Sequence, residues 1–193
     1  MTKHYRHFWS FTDLLGKRTI IMGEVRSGKT RLAGLLLKEA VALGFAKEIT
    51  IIDMAPKNVV IKGIRVGGKL ASVATGIRGI KYLAPRRVET PRLSAKTSEE
   101  LLHLVDKNRR EIEPLLKEYI SKPTPILFVN DISIYLQTGD FATISATFQA
   151  ASTFVANGYY GKTLSNDLST GISSREHALM DKLAAMMDIK ANL

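Results

Sequence analysis

Residues Gly23 to Thr30 read Gly-Glu-Val-Arg-Ser-Gly-Lys-Thr: two glycines with four residues between them, then a lysine and a hydroxyl. Both glycines can take backbone angles closed to other residues. Successive N–H groups can therefore turn to one side and make a concave cradle for an anion. Ahead of the stretch, Thr19-Ile20-Ile21-Met22 is a β-branched apolar run that reads as a strand. Behind it, Arg31 to Leu43 (RLAGLLLKEAVAL) is a helix-forming run closed by Gly44. A strand, a glycine turn and a helix in this order aim the positive end of the helix dipole at the cradle. A polyphosphate suits that geometry. Gly23, Arg26, Ser27, Gly28, Lys29, Thr30 and Arg31 are the candidate contacts, with Lys29 on the β- and γ-phosphate oxygens and Thr30 on a Mg²⁺ shared with the nucleotide.

The stretch fits G-x-x-x-x-G-K-[ST], and over residues 19 to 43 the chain resembles the P-loop NTPase superfamily. The resemblance implies ATP or GTP as the ligand, with Mg²⁺. The guanine-reading pattern N-K-x-D is absent from the sequence, which points to ATP. Arg26-Ser27-Gly28-Lys29-Thr30-Arg31 is also similar to the first loop of adenosylcobinamide kinases, and that likeness points toward phosphoryl transfer.

The rest of the chain alternates strand and helix signals. Glu48 to Met54 (EITIIDM) reads as a strand stopped by Pro56. Residues 57 to 96 are irregular, with short β-like pieces at Val59–Ile61 and Ile80–Leu83, and segment 56–97 reads as a basic insertion or lid. Thr97-Ser98-Glu99-Glu100 is a capping box that opens a helix running to about Ile120, with Pro114 expected to kink it. Ile126 to Asp131 (ILFVND) reads as a buried strand with a polar end. A helix from about Phe141 to Ala151 follows, then a strand from Ser152 to Asn157. Ser173-Ser174-Arg175-Glu176 reads as a second capping box, with the last helix reaching about Asp188. This alternation predicts a single domain over residues 1–193: an α/β fold with a doubly wound, mostly parallel sheet of P-loop NTPase type in three α/β/α layers. In such sheets ligands sit beyond the carboxyl ends of the strands. Asp53, Asn130, Asp131 and Asn157 are all expected there.

Asp131 is the candidate carboxylate on the Mg²⁺ side, together with Thr30. Two assignments stay open. Either Asp131 faces the metal, or Asn130 occupies the metal-side place and Asp131 orients the attacking water. Asn157 resembles the polar residue with which RecA-like and AAA-like ATPases read the γ-phosphate. Lys29, Asp131 and Asn157 thus form the expected catalytic set. Lys162 and Ser165, in the loop beyond, are further candidates for touching a ligand. For a kinase, Asp53 would activate an acceptor hydroxyl and Arg86, Arg87 and Arg92 would close over the phosphoryl group.

The sequence of 193 residues has no cysteine, so disulfides and thiolate metal sites are excluded. Four scattered histidines offer no zinc-like spacing. No apolar run is long enough to span a membrane and no leader is visible, so a cytoplasmic location is expected. The net charge of +10 is concentrated: residues 56 to 98 hold 10 basic residues against Glu89 alone. An anionic partner is expected there: nucleic acid, a phosphorylated substrate or an acidic membrane surface. Tyr5, Phe8, Trp9 and Phe11 would pin the N-terminus to the domain or stack on a base. The functional expectation is ATP hydrolysis coupled to a macromolecular partner. Its alternatives are a small-molecule phosphotransferase or a low-turnover nucleotide switch.

Overall fold

The computed structural model describes residues 9–61, 63–74 and 79–193. In chain order the elements are α1 (Phe11–Leu14), β1 (Arg18–Gly23), α2 (Lys29–Ala42), β2 (Ile49–Asp53), β3 (Val59–Ile61), β4 (Ile64–Val66), β5 (Lys81–Leu83), α3 (Pro91–Ser94), α4 (Ser98–Ser121), β6 (Ile126–Asn130), α5 (Ser133–Leu136), α6 (Phe141–Gln149), β7 (Thr153–Tyr159), α7 (Ile172–Ala185) and β8 (Ile189–Asn192). Six strands make one sheet in the order β5-β2-β6-β7-β1-β8, parallel at each pairing. Strands β3 and β4 form a separate antiparallel ribbon.

Strand periodicity divides the core into two. Successive side chains point to opposite faces, so Ile20, Ile52, Val129 and Ala156 join α4, α5, α6 and α7 on one side. Ile21, Ile51, Phe128 and Val155 join α1 and α2 on the other. All five residues of β6 and all seven of β7 are buried, as a sheet covered on both faces requires. The result is the expected three-layer α/β/α fold.

Local signals explain most element ends. Gly44 follows α2 with φ 93°, the left-handed cap predicted for it. Thr97 caps α4 by accepting from Glu100 N at 3.2 Å, and Glu100 reaches back to Lys96 N at 2.7 Å. Helix α4 runs through Pro114 without a break in its assignment. Phe11 is fully buried against Phe45 and Phe128, so it pins the N-terminal segment, whereas Tyr5 and Phe8 lie outside the described residues.

Several expectations change. Lys81–Leu83, read as part of segment 56–97, pairs with β2 and belongs to the main sheet. Strand β7 continues through Gly158 to Tyr159, because Tyr159 still has β1 beside it at Gly23. The second capping box does not form. The N-cap of α7 is Gly171, and Asp167 instead accepts from Ser173 N at 2.9 Å. Helix α7 ends at Ala185, leaving room for β8 beside β1. Among the described residues no helix is long and apolar enough to cross a membrane.

Candidate functional site

Strand β1 ends at Gly23, and the chain turns through residues 24–28 into α2. Gly28 holds φ 104° at the helix start, where a side chain would be strained, and Arg26 takes φ 63°. A cleft of about 250 Å³ lies over this turn. Arg26, Gly28, Lys29, Thr30 and Arg31 line it together with Asp131 and Asn157. Gly67, Gly68, Tyr159 and Leu164 line it as well. Gly23 and Ser27 do not line the cleft. The Lys29 ammonium folds back on them, donating to Gly23 O at 3.0 Å, Glu24 O at 2.6 Å and Ser27 Oγ at 3.5 Å. Burial pushes the Lys29 pKa down, while Asp131 and Glu24 pull it up.

A chain of side-chain amides joins the strand ends at the cleft. Asn157 Nδ2 donates to Asn130 Oδ1 at 2.8 Å, and Thr30 Oγ1 donates to the same oxygen at 3.4 Å. Asn130 Nδ2 donates to Asp53 Oδ1 at 2.8 Å and to Gly68 O at 3.0 Å. Both protons and the carbonyl oxygen of Asn130 are thus engaged, which fixes its orientation. A carboxylate at position 130 would instead face Asp53 as a like charge. Asp131 follows with φ 62°, a left-handed turn that points the chain out of the strand. Its N–H donates to Asn157 Oδ1 at 3.1 Å and its Oδ1 accepts from Ser133 Oγ at 3.1 Å. Desolvation raises the Asp131 pKa, opposed mainly by Lys29. The residue beside the Thr30 hydroxyl is therefore Asn130. Asp131 sits one step further on and is the carboxylate that lines the cleft.

Asp53 has no free face for an acceptor. It is fully buried, its Oδ1 accepts from Ala55 N and Asn130 Nδ2, and its Oδ2 accepts from Leu70 N and the Tyr82 hydroxyl. Lys69 adds an ion pair at 3.8 Å. Asp53 fastens the strap of residues 67–70 to the sheet edge. Arg92 is likewise internal: it pairs with Glu176 at 2.9 Å and lies over the Tyr159 ring, 5.2 Å from its centre. Arg86 and Arg87 line a neighbouring groove, and Lys162 and Ser165 a pocket behind the 160–168 loop.

One residue of the turn has a role that its spacing does not announce. Glu24 Oε2 accepts from Lys162 N at 2.7 Å and Thr163 N at 3.1 Å, and Oε1 accepts from Val25 N at 2.9 Å. Gly161 makes room for it, because a Cβ there would lie 2.3 Å from Glu24 Oε2. Partial burial would raise the Glu24 pKa, but these backbone donors outweigh it and hold the carboxyl down to about 2. Among the described residues no three His, Cys, Asp or Glu side chains converge as a preformed metal cage. Mg²⁺ in a phosphate site needs no more than one or two carboxylates beside the phosphates, and Thr30 with Asp131 fits that donor set.

No model of a known protein family matches the chain, and no curated protein matches it. Among solved structures, the flagellar accessory protein FlaH from Methanocaldococcus jannaschii aligns with a TM-score of 0.50 and 11% identity, over 92% of this chain and 71% of FlaH. The Pif1 helicase from Candida albicans aligns at a TM-score of 0.36 and 12% identity, over 92% of this chain and 36% of the helicase, too loosely to bear on the fold. The sheet order and the FlaH likeness define the fold as a three-layer α/β fold built on a parallel six-stranded sheet.

Proposed function

We propose that the protein binds ATP with Mg²⁺ in the cleft over residues 23–30 and hydrolyses it. The observation that carries this reading is the meeting of two sets of groups in one cleft. The turn supplies N–H groups, the α2 N-terminus and Lys29; the ends of β6 and β7 supply Asp131 and Asn157. On binding, a triphosphate takes over the Lys29 ammonium from the carbonyls of Gly23 and Glu24. Bound Mg²⁺ would neutralise phosphate charge, held through the Thr30 hydroxyl and the Asp131 side of the cleft. Asp131 is the carboxylate of that metal side, and the Lys29 charge opposes the desolvation that raises its pKa. Asn157 holds the Asp131 backbone in place through its Oδ1 and holds Asn130 through its Nδ2.

Phosphate release from ATP tests the assignment. Asp131→Asn should lower turnover by about 10²–10³-fold and weaken Mg²⁺-dependent ATP binding, while binding without Mg²⁺ changes little. Turnover that survives Asp131→Asn but disappears in Asn130→Ala would reverse the two roles.

A further inference from the structure

Next to the cleft lies a second groove of about 500 Å³, floored by Ala55 and Pro56 and walled by β3 and residues 85–90. We propose that this groove binds the phosphate backbone of a single nucleic-acid strand, making the ATPase nucleic-acid-dependent. The proposal rests on the nucleotide reading only for that dependence; the groove is argued on its own charge and shape.

The structure sorts the cations of the basic segment. Lys81 is paired with Glu118 at 2.9 Å and Arg92 is buried against Glu176. Lys69 is partly engaged by Asp53, donating to Asp53 O at 3.0 Å. Among the described cations of the segment, Lys57, Arg86 and Arg87 line the groove and remain open to an outside ligand, and Lys96 is exposed beyond it. Lys57 and Arg86 are exposed and form no ion pair among the described residues. Arg87 touches Glu89 at 2.9 Å yet remains 74% exposed. Glu89, the groove's acidic group, is already neutralised by Arg87 and by Lys107 at 2.7 Å, so it does not repel a phosphate.

The shape favours a polymer. A small phosphorylated substrate is held by enclosure, with most of its surface buried. Here the guanidinium groups stand on an open rim, where a strand can pass across them. Beside that rim, Val59 lines the groove and exposes 37% of its surface, an apolar contact for an unstacked base. Interactions of this kind give affinity without sequence preference. The groove also adjoins the chemistry: Ala55 lines both it and the cleft, and the two are parted by the strap of Gly67 and Gly68. That strap is bonded to Asn130 through Gly68 O and to Asp53 through Leu70 N, so a strand in the groove presses on the wall of the phosphate cleft.

The test is fluorescence anisotropy with labelled single-stranded oligonucleotides of unrelated sequence, at rising salt, with ATP affinity measured on the same samples. The full chain is compared with the double variant Lys57→Glu, Arg86→Glu. A control, Lys47→Glu with Lys122→Glu, changes net charge equally ahead of β2 and β6, at the opposite edge of the sheet. The groove variant should bind every oligonucleotide at least about tenfold more weakly, with the salt slope flatter by about 0.7 for each phosphate no longer neutralised. The control should bind like the unaltered protein, and ATP affinity should hold in both. Three results each overturn the proposal: no oligonucleotide binding at low salt, equal weakening in groove variant and control, or binding of a sugar phosphate where oligonucleotides fail. Absence of ATP binding in the unaltered chain would instead defeat the nucleotide reading and leave the groove result standing.

Discussion

Arg92 and Glu176 lie 84 residues apart in sequence and meet in the interior, 7% and 3% exposed, with Gln137 donating to Glu176 at 3.0 Å. Desolvation pushes the Glu176 carboxyl from its ordinary 4.5 up to about 7, against the pull of Arg92 and Gln137. Its folded pKa is raised, so ionisation costs the fold stability as pH climbs through that window, and below it the acid is neutral in both states. Arg92→Met leaves the charge unpaired, so its cost should grow as pH climbs past about 7, toward about 3–5 kcal/mol. The destabilisation should shrink at about pH 5, where Glu176 is protonated, and thermal unfolding at two pH values measures it. Equal destabilisation at both would mean that packing, not charge, holds the pair. No local pattern in the sequence reveals this partnership. Glu176 has the spacing of a helix cap and Arg92 sits in a basic run, and tertiary packing overrides both signals. The same limit applies to Asn130 and Asp131. Adjacent polar residues at a strand end cannot be told apart until the turn angle at Asp131 is known.

Among the elements, the turn after β1 and the loop after β7 act as one unit through Glu24. Its carboxylate gathers three backbone N–H groups, two of them from the 161–163 stretch. Glu24→Gln keeps the size but leaves one oxygen to serve the donors, so the amides of Lys162 and Thr163 should exchange with solvent markedly faster by NMR. The unaltered protein should show the same loosening on acidification. Its depressed carboxyl stabilises the fold above the ordinary 4.5, and that contribution fades as pH falls toward about 2. Unchanged exchange in Glu24→Gln would show that Tyr159, whose hydroxyl accepts from Leu164 N at 2.9 Å, holds the loop alone. The strand–turn–helix at residues 18–42 is fully legible from sequence, because apolar runs and glycines mark each boundary. Strand β8 is not: of its four residues only Ala191 is buried, and the pairing beside β1 has no local signature.

For the whole molecule, the parallel sheet brings the ends of β1, β2, β6 and β7 to one edge, and that edge carries the cleft, the strap and the groove. The alternation of strands and helices made this convergence predictable. The order β5-β2-β6-β7-β1-β8 was not, since nothing local says that β7 lies between β1 and β6. That insertion sets the β7 end that carries Asn157 between the ends of β1 and β6. The central claim, that a nucleoside triphosphate binds over residues 23–30, is tested most directly by titration calorimetry of ATP–Mg²⁺ against the unaltered chain and Lys29→Ala. Removing a charge-assisted hydrogen bond to phosphate worth about 1.5–3 kcal/mol should weaken ATP binding roughly tenfold to a hundredfold. The unfolding temperature without ligand should stay nearly constant, because among the described residues the hydrogen bonds of Lys29 are to its own turn. ATP affinity that is the same in both proteins, or absent from the unaltered one, would contradict the account.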